Sequence, residues 1–207
     1  MTFTDLVASR GYDATSLADV AAALDLSKGT ILHHYGSKER LLRQMSLEYM
    51  ERRILELNSI CEAYDDSPQR LASIITAIVT AFRDDGSATR AFSREFMRFV
   101  DDPVMEDVRQ ARAEYMRLIT DILREGVKRG ELRTPNVTVT ALQMIGMCNW
   151  GWTWIDPDGP LELEDLAAMF VSTFLAGLGS APGAARAEAV LPDRVHQLRQ
   201  GNPQDGP

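Results

Sequence analysis

Cysteine is scarce. The 207-residue chain has two, Cys61 and Cys148, far apart and in no CxxC or other metal-ligand spacing. That argues against a disulfide framework or a zinc finger and predicts two buried free thiols in a cytoplasmic protein. Histidine is also sparse: His33, His34 and His196 lie near the two ends, so residues 46–180 hold no histidine base. GxSxG, HExxH, Walker and GxGxxG motifs are all missing, and with them the common signatures of hydrolases, metalloproteases and nucleotide enzymes. Sustained strand alternation is missing too, while nearly every segment has helical period. The expectation is an all-α protein with no cofactor. No charged-then-apolar leader opens the chain, so secretion is not expected. Residues 134–155 carry no charge, but Pro135, Asn136, Thr138, Thr140, Gln143 and Asn149 interrupt them. The reading is a buried helix, with no membrane partner.

Helix signals divide the rest. Thr15-Ser16 cap a helix from Leu17 to about Leu24. Asp25-Leu26 form a tight turn, and Ser27 caps a short helix from Lys28 to about His34. Ser37 caps a third, which runs from Lys38 to about Cys61. Ser67-Pro68 reads as N-cap and first helical residue. The apolar stripe Leu71, Ile74, Ile75, Ile78, Val79 and Phe82 follows, ended by Asp84-Asp85-Gly86. Further helices are predicted over 88–100, 103–129, 136–155 and 161–178. From Ser180 on, Pro and Gly recur and apolar residues thin out, which predicts a flexible tail. Three parts result: a head over 1–45, a body over 46–179 and a tail over 180–207.

The net charge is −8. It belongs to 46–180, where 14 bases face 22 acids; the head and the tail are each neutral. Within the head, residues 27–43 carry four bases (Lys28, Lys38, Arg40, Arg43) and one acid, Glu39. A phosphate-binding face needs local positive charge, not a basic protein. The second head helix opens with Ser27, Lys28, Gly29 and Thr30: hydroxyls, a cation and a position where backbone approaches closely. Two capped helices joined by a short turn, with polar groups on the second, suit major-groove reading. His33-His34 does not suit a metal, because adjacent helical residues point about 100° apart.

Gly11-Tyr12, Thr15-Ser16, Val20-Ala21, Leu26 to Thr30, His33-His34-Tyr35 and Ser37-Lys38-Glu39 stand in one register. Over residues 6–42 this resembles the DNA-binding head of TetR-family repressors. The resemblance implies an N-terminal three-helix helix-turn-helix head followed by a larger helical ligand-binding and dimerisation body. It implies DNA contacts by Thr15, Ser16, Ser27, Lys28, Gly29, Thr30, Leu32, His33, Tyr35 and Lys38, with His34 partly in the head's packing. The partner implied is a pseudo-palindromic double-stranded operator, bound by a homodimer. Two features depart from the pattern. Leu32 stands where the family usually has Tyr, which leaves only the apolar half of that contact. Met1 falls inside the family's first helix, so either the start lies upstream or this helix frays.

In the body, the helices over 136–155 and 161–178 are apolar around most of their girth and need cover on two sides. The family implies a four-helix interface with a second copy, here through Leu142, Gly146, Met169, Thr173, Ala176 and Gly177. Phe92, Phe96, Phe99, Tyr115, Met116, Met144, Met147 and Trp150 form an aromatic and methionine-rich set suited to an apolar ligand cavity. Arg90, Arg94 and Arg98 recur every fourth position, read either as a solvated face or as partners of an anionic ligand group. Trp152 to Leu161 is similar to the turn of family members that respond to acyl-CoA thioesters, which makes the small apolar effector a candidate acyl-CoA. The rival readings are a helical enzyme or a protein-interaction module without DNA binding.

Overall fold

The structure is a computed structural model that describes residues 2–98 and 102–176. Phe99, Gly177, His196 and the predicted tail lie outside the described residues. The chain divides into two compact units, Met1–Val171 and Ser172–Pro207. Of the second, only 172–176 are described, as the end of the last helix.

Every regular element among the described residues is helical. The order is α1 (Phe3–Arg10), α2 (Leu17–Ala23), α3 (Lys28–Tyr35), α4 (Lys38–Ala63), α5 (Ser67–Asp84), α6 (Gly86–Glu95), α7 (Glu106–Lys128), α8 (Val137–Asn149) and α9 (Leu163–Ala176). Single 3-10 turns precede α7 (Pro103–Met105) and follow α8 (Trp150–Thr153). The all-α expectation with an N-terminal helix-turn-helix holds.

Local chemistry explains the boundaries. Thr2 caps α1: its hydroxyl accepts from the Asp5 N–H while the Asp5 carboxylate accepts from the Thr2 N–H. The helix is therefore capped where fraying was one expectation. Ser16 and Asp19 form the same reciprocal box on α2. Asp66, not Ser67, caps α5, and its carboxylate accepts from the Gln69 N–H. Ser67 is the first residue of that helix and is buried, with its N–H donated to Glu131. The 88–100 helix begins two residues earlier and ends at Glu95. The predicted helices 103–129 and 136–155 are each part 3-10 turn.

The α2–α3 turn is set at Asp25, whose φ of 54 is left-handed. Asp tolerates that region better than most residues. The Leu26 N–H then reaches back to the Ala21 carbonyl at 2.8 Å, which fixes the angle at which α3 leaves.

The core begins in the head and runs into the body without a break. Val7, Val20 and Ile31 of α1–α3 join Leu41, Leu42 and Tyr49 of α4, Ala91 and Phe92 of α6, and Val108 of α7. All six predicted α5 stripe residues are buried. A second cluster gathers Val79 and Phe82 of α5 with Ile155, Leu163, Leu166 and Ala167.

Candidate DNA-reading head and ligand cavity

On α3, only Ile31 is buried. It anchors the helix, and the remaining positions present Lys28, Gly29, Leu32, His33, His34 and Tyr35 to solvent, with Thr30 half-buried. Leu32 is 48% exposed. The Ser27 hydroxyl accepts from the Thr30 N–H at 3.0 Å and lies 2.9 Å from the Thr30 hydroxyl, so it completes the cap before any DNA is present. Gly29 is open: a Cβ there would meet only Ser27 Oγ at 3.6 Å. His34 is exposed and lines a surface groove with Tyr35, Arg40 and Arg43, instead of packing into the head.

Three predicted contacts have partners within the chain. Thr15 is fully buried, and its hydroxyl donates to the Gly11 carbonyl at 2.8 Å. It shapes the α1–α2 loop and has no surface to offer. Ser16 is exposed but serves as the α2 cap. Lys38 is half-buried; its ammonium donates to the Tyr12 carbonyl at 3.0 Å and sits 4.0 Å from the centre of the Tyr12 ring.

The same loop ties the head to the body. The Tyr12 N–H donates to Glu95 Oε1 at 2.9 Å, a buried bond. Glu95 Oε2 accepts from Arg98 Nε at 2.6 Å, and Arg98 pairs twice with Asp13, at 3.0 and 2.7 Å. The Tyr12 hydroxyl donates to Glu39 at 3.1 Å. Gly11 has φ +88, where a side chain is strained, and a Cβ there would also press on the Arg94 guanidinium at 3.0 Å. Of the arginine row, Arg94 on α6 and Arg98 just beyond it face the head, and none of the three lines the apolar cavity.

That cavity, of about 470 Å³, opens among α4, α5, α6, α7 and α8. The size is ordinary for a small-molecule site. Phe92, Phe96, Tyr115 and Met116 line it, as the sequence reading has it. Tyr49 stacks on Phe92 at 4.6 Å, and Phe92 meets Phe96 edge-on at 5.8 Å. Three other predicted lining residues do not line it. Met144 is fully buried core, Met147 is half-buried elsewhere on α8, and Trp150 is 66% exposed. Trp150 stands one turn after the open Gly146 and shares its solvent-facing side, while Leu142, Ile145 and Asn149 turn toward the cavity. Trp152 packs on the second core cluster. Residues the sequence reading missed include Tyr49, Met50, Arg53 and Arg112.

Predicted interface positions on α8 and α9 are largely open. Leu142 is 57% and Met169 59% exposed. Gly146, Thr173 and Ala176 are exposed, and a Cβ on Gly146 would meet nothing within 4 Å. Leu142 also lines the cavity. Among the described residues no group of His, Cys, Asp or Glu is placed to hold a metal, and no helix is long and apolar enough to cross a membrane. Cys148 is fully buried, and burial pushes its thiol up to about 12; Cys61 is half-buried, and both are free.

A capped, solvent-facing second helix on a helical body with a cavity defines a helix-turn-helix regulator. Residues 4–45 match the family described as bacterial regulatory proteins, tetR family, and residues 64–178 match the tetracyclin repressor-like C-terminal domain. The chain belongs to the TetR family of DNA-binding transcriptional regulators. It is similar to the HTH-type transcriptional repressor KstR2 of Mycolicibacterium smegmatis, with 24% identity over 86% of this chain and 87% of that one. Its fold is similar to PfmR, a TetR-family regulator of Thermus thermophilus, with TM-score 0.77 and 28% identity over 86% of this chain and 96% of that one. It is also similar to AibR solved with isovaleryl coenzyme A and operator DNA: TM-score 0.76, 23% identity, covering 83% of this chain and 93% of that one.

Proposed function

We propose that this chain is a cytoplasmic homodimeric repressor that binds a pseudo-palindromic operator and leaves it when a small apolar effector, such as an acyl-CoA thioester, fills the body cavity. Residues 1–45 form the DNA-binding part, 46–179 the sensing and dimerising part, and 180–207 a tail. Lys28, Gly29, Thr30, Leu32, His33 and Tyr35 meet DNA, with Ser27 and Ser16 offering helix N-termini to phosphates. The observation that carries this reading is α3: one buried anchor, Ile31, and every other position open or half-open on a capped helix. The cavity supports the sensing half, because Phe92 on α6 and Phe96 just beyond it line it on either side of Glu95, which holds the Tyr12 loop. An effector that prefers one setting of α6 lowers DNA affinity by its preference between the two states. That AibR was crystallised with a CoA thioester makes this ligand class the first to try.

The experiment is to select the genomic fragments that the protein binds, then titrate the complex with acyl-CoA thioesters and free carboxylic acids. A compound that dissociates the complex and raises the melting temperature is expected. If none changes either quantity, ligand release fails and DNA binding stands.

A further inference from the structure

Among the described residues, the cavity wall carries three arginines, Arg53, Arg109 and Arg112, and no acid. They differ in what neutralises them. Arg53 pairs with Glu56 at 3.4 Å and approaches Asp85 at 3.9 Å. Arg109 pairs with Glu106. Arg112, on α7, has no carboxylate partner among the described residues. Its guanidinium lies 3.6 Å from the centre of the Phe96 ring, and one N–H donates to the Phe96 carbonyl at 3.3 Å. Its position on the helix explains this. Three and four residues away stand Val108, Arg109, Tyr115 and Met116, none of them acidic, so α7 supplies no ion pair to this side chain. Burial lowers the pKa of Arg112, a shift with desolvation as its cause; yet an arginine stays charged in a protein. Arg112 is half-buried, so its charge is partly desolvated with no counter-ion to compensate it, which costs stability. One ring face and one carbonyl leave most of its five N–H donors for something else.

We infer that Arg112 is an anion subsite of the cavity: it takes a ligand oxyanion, a carboxylate or phosphate, while the ligand's apolar part lies against Phe92, Tyr115 and Met116. The inference rests on the reading of this cavity as the effector site. It sets the effector's chemistry as an amphiphile with one negative group buried beside an apolar chain, and it separates acids from their neutral esters. A guanidinium fork meets a carboxylate through two parallel N–H bonds, which a methyl ester cannot return with charge.

The test is calorimetric binding to the full chain of dodecanoic acid, its methyl ester and dodecanoyl-CoA. The wild type is compared with Arg112→Met and Arg112→Lys. In the wild type a charged ligand, acid or thioester, is expected to bind at least about tenfold tighter than the ester, as one charged hydrogen-bonded pair implies. Arg112→Met should weaken the charged ligand to the level of the ester and leave the ester unchanged. Arg112→Lys should keep part of the difference. If the free acid shows the effect, the anion is a carboxylate; if only the thioester shows it, the anion is a CoA phosphate. Arg112→Met should also melt no lower than the wild type without ligand, since it removes a half-buried charge that has no counter-ion. Equal binding of acid, thioester and ester in the wild type, or an equal loss of all three in Arg112→Met, would overturn the subsite while leaving the cavity as an effector site. Binding of none of the three would remove the effector reading itself.

Discussion

Lys28 and Lys38 show how much one side chain's surroundings decide. Both are cations of the basic stretch, and the sequence offers them as equivalent phosphate partners. In the structure Lys28 is exposed, while Lys38 is spent on the Tyr12 carbonyl and ring. Lys28→Ala should therefore weaken binding to all DNA sequences alike and reduce the salt slope by about one unit, with the melting temperature unchanged. Lys38→Ala should lower the melting temperature as well. Titrations over a salt series check both, and an unchanged slope for Lys28→Ala would remove it from the phosphate contacts. Thr15 and Arg112 are the complementary pair. Thr15 matches a family position, yet its burial is invisible to a motif. Arg112 matches no motif, yet its lack of acids three and four residues away stands in the sequence and separates it from Arg117, which has Glu114 and Asp121 at those distances.

At the scale of elements, the helices of the head depend on their caps. Hydrogen bonds from the Ser16 hydroxyl and N–H, with the Arg10 charge, hold the Asp19 carboxyl below its ordinary value of 3.8. Hydrogen bonding to Thr2 does the same for Asp5. A carboxyl depressed in the folded state contributes stability above its unfolded pKa and loses it as pH falls through the folded one. Asp19→Asn should therefore lower the melting temperature at neutral pH. The gap from the wild type should close below about pH 4. A constant gap across that range would show that the charge of Asp19 does not matter. Helix positions were legible because caps and apolar period are local: the α5 stripe is buried as its spacing requires. The cavity was legible only in part. Its aromatic wall from α6 and α7 follows from helical register, but the tryptophans near 150 do not belong to it. Trp150 lies four residues after the open Gly146 and Trp152 packs on the second core cluster, and a composition rich in tryptophan does not say which face of α8 the cavity takes.

For the whole molecule, α4 is the long connection. Its 26 residues span about 39 Å at 1.5 Å each, so a small tilt at the body end becomes a large displacement at the head. Apolar surface left open on α8, together with Met169 on α9, is the face we assign to a second copy. Gly146→Arg tests it, since that position is exposed and unencumbered in the single chain. The variant should fold, sediment as a monomer and lose operator affinity; an intact dimer would move the interface elsewhere. Operator recognition by a dimer is tested by sequencing the genomic fragments that the wild-type protein retains and counting the chains bound to each. One shared motif of two inverted half-sites is expected, with centres about 34 Å apart. Two chains should occupy each motif, with affinity falling steeply as salt rises. Fragments without a common sequence, or binding indifferent to salt, would contradict it.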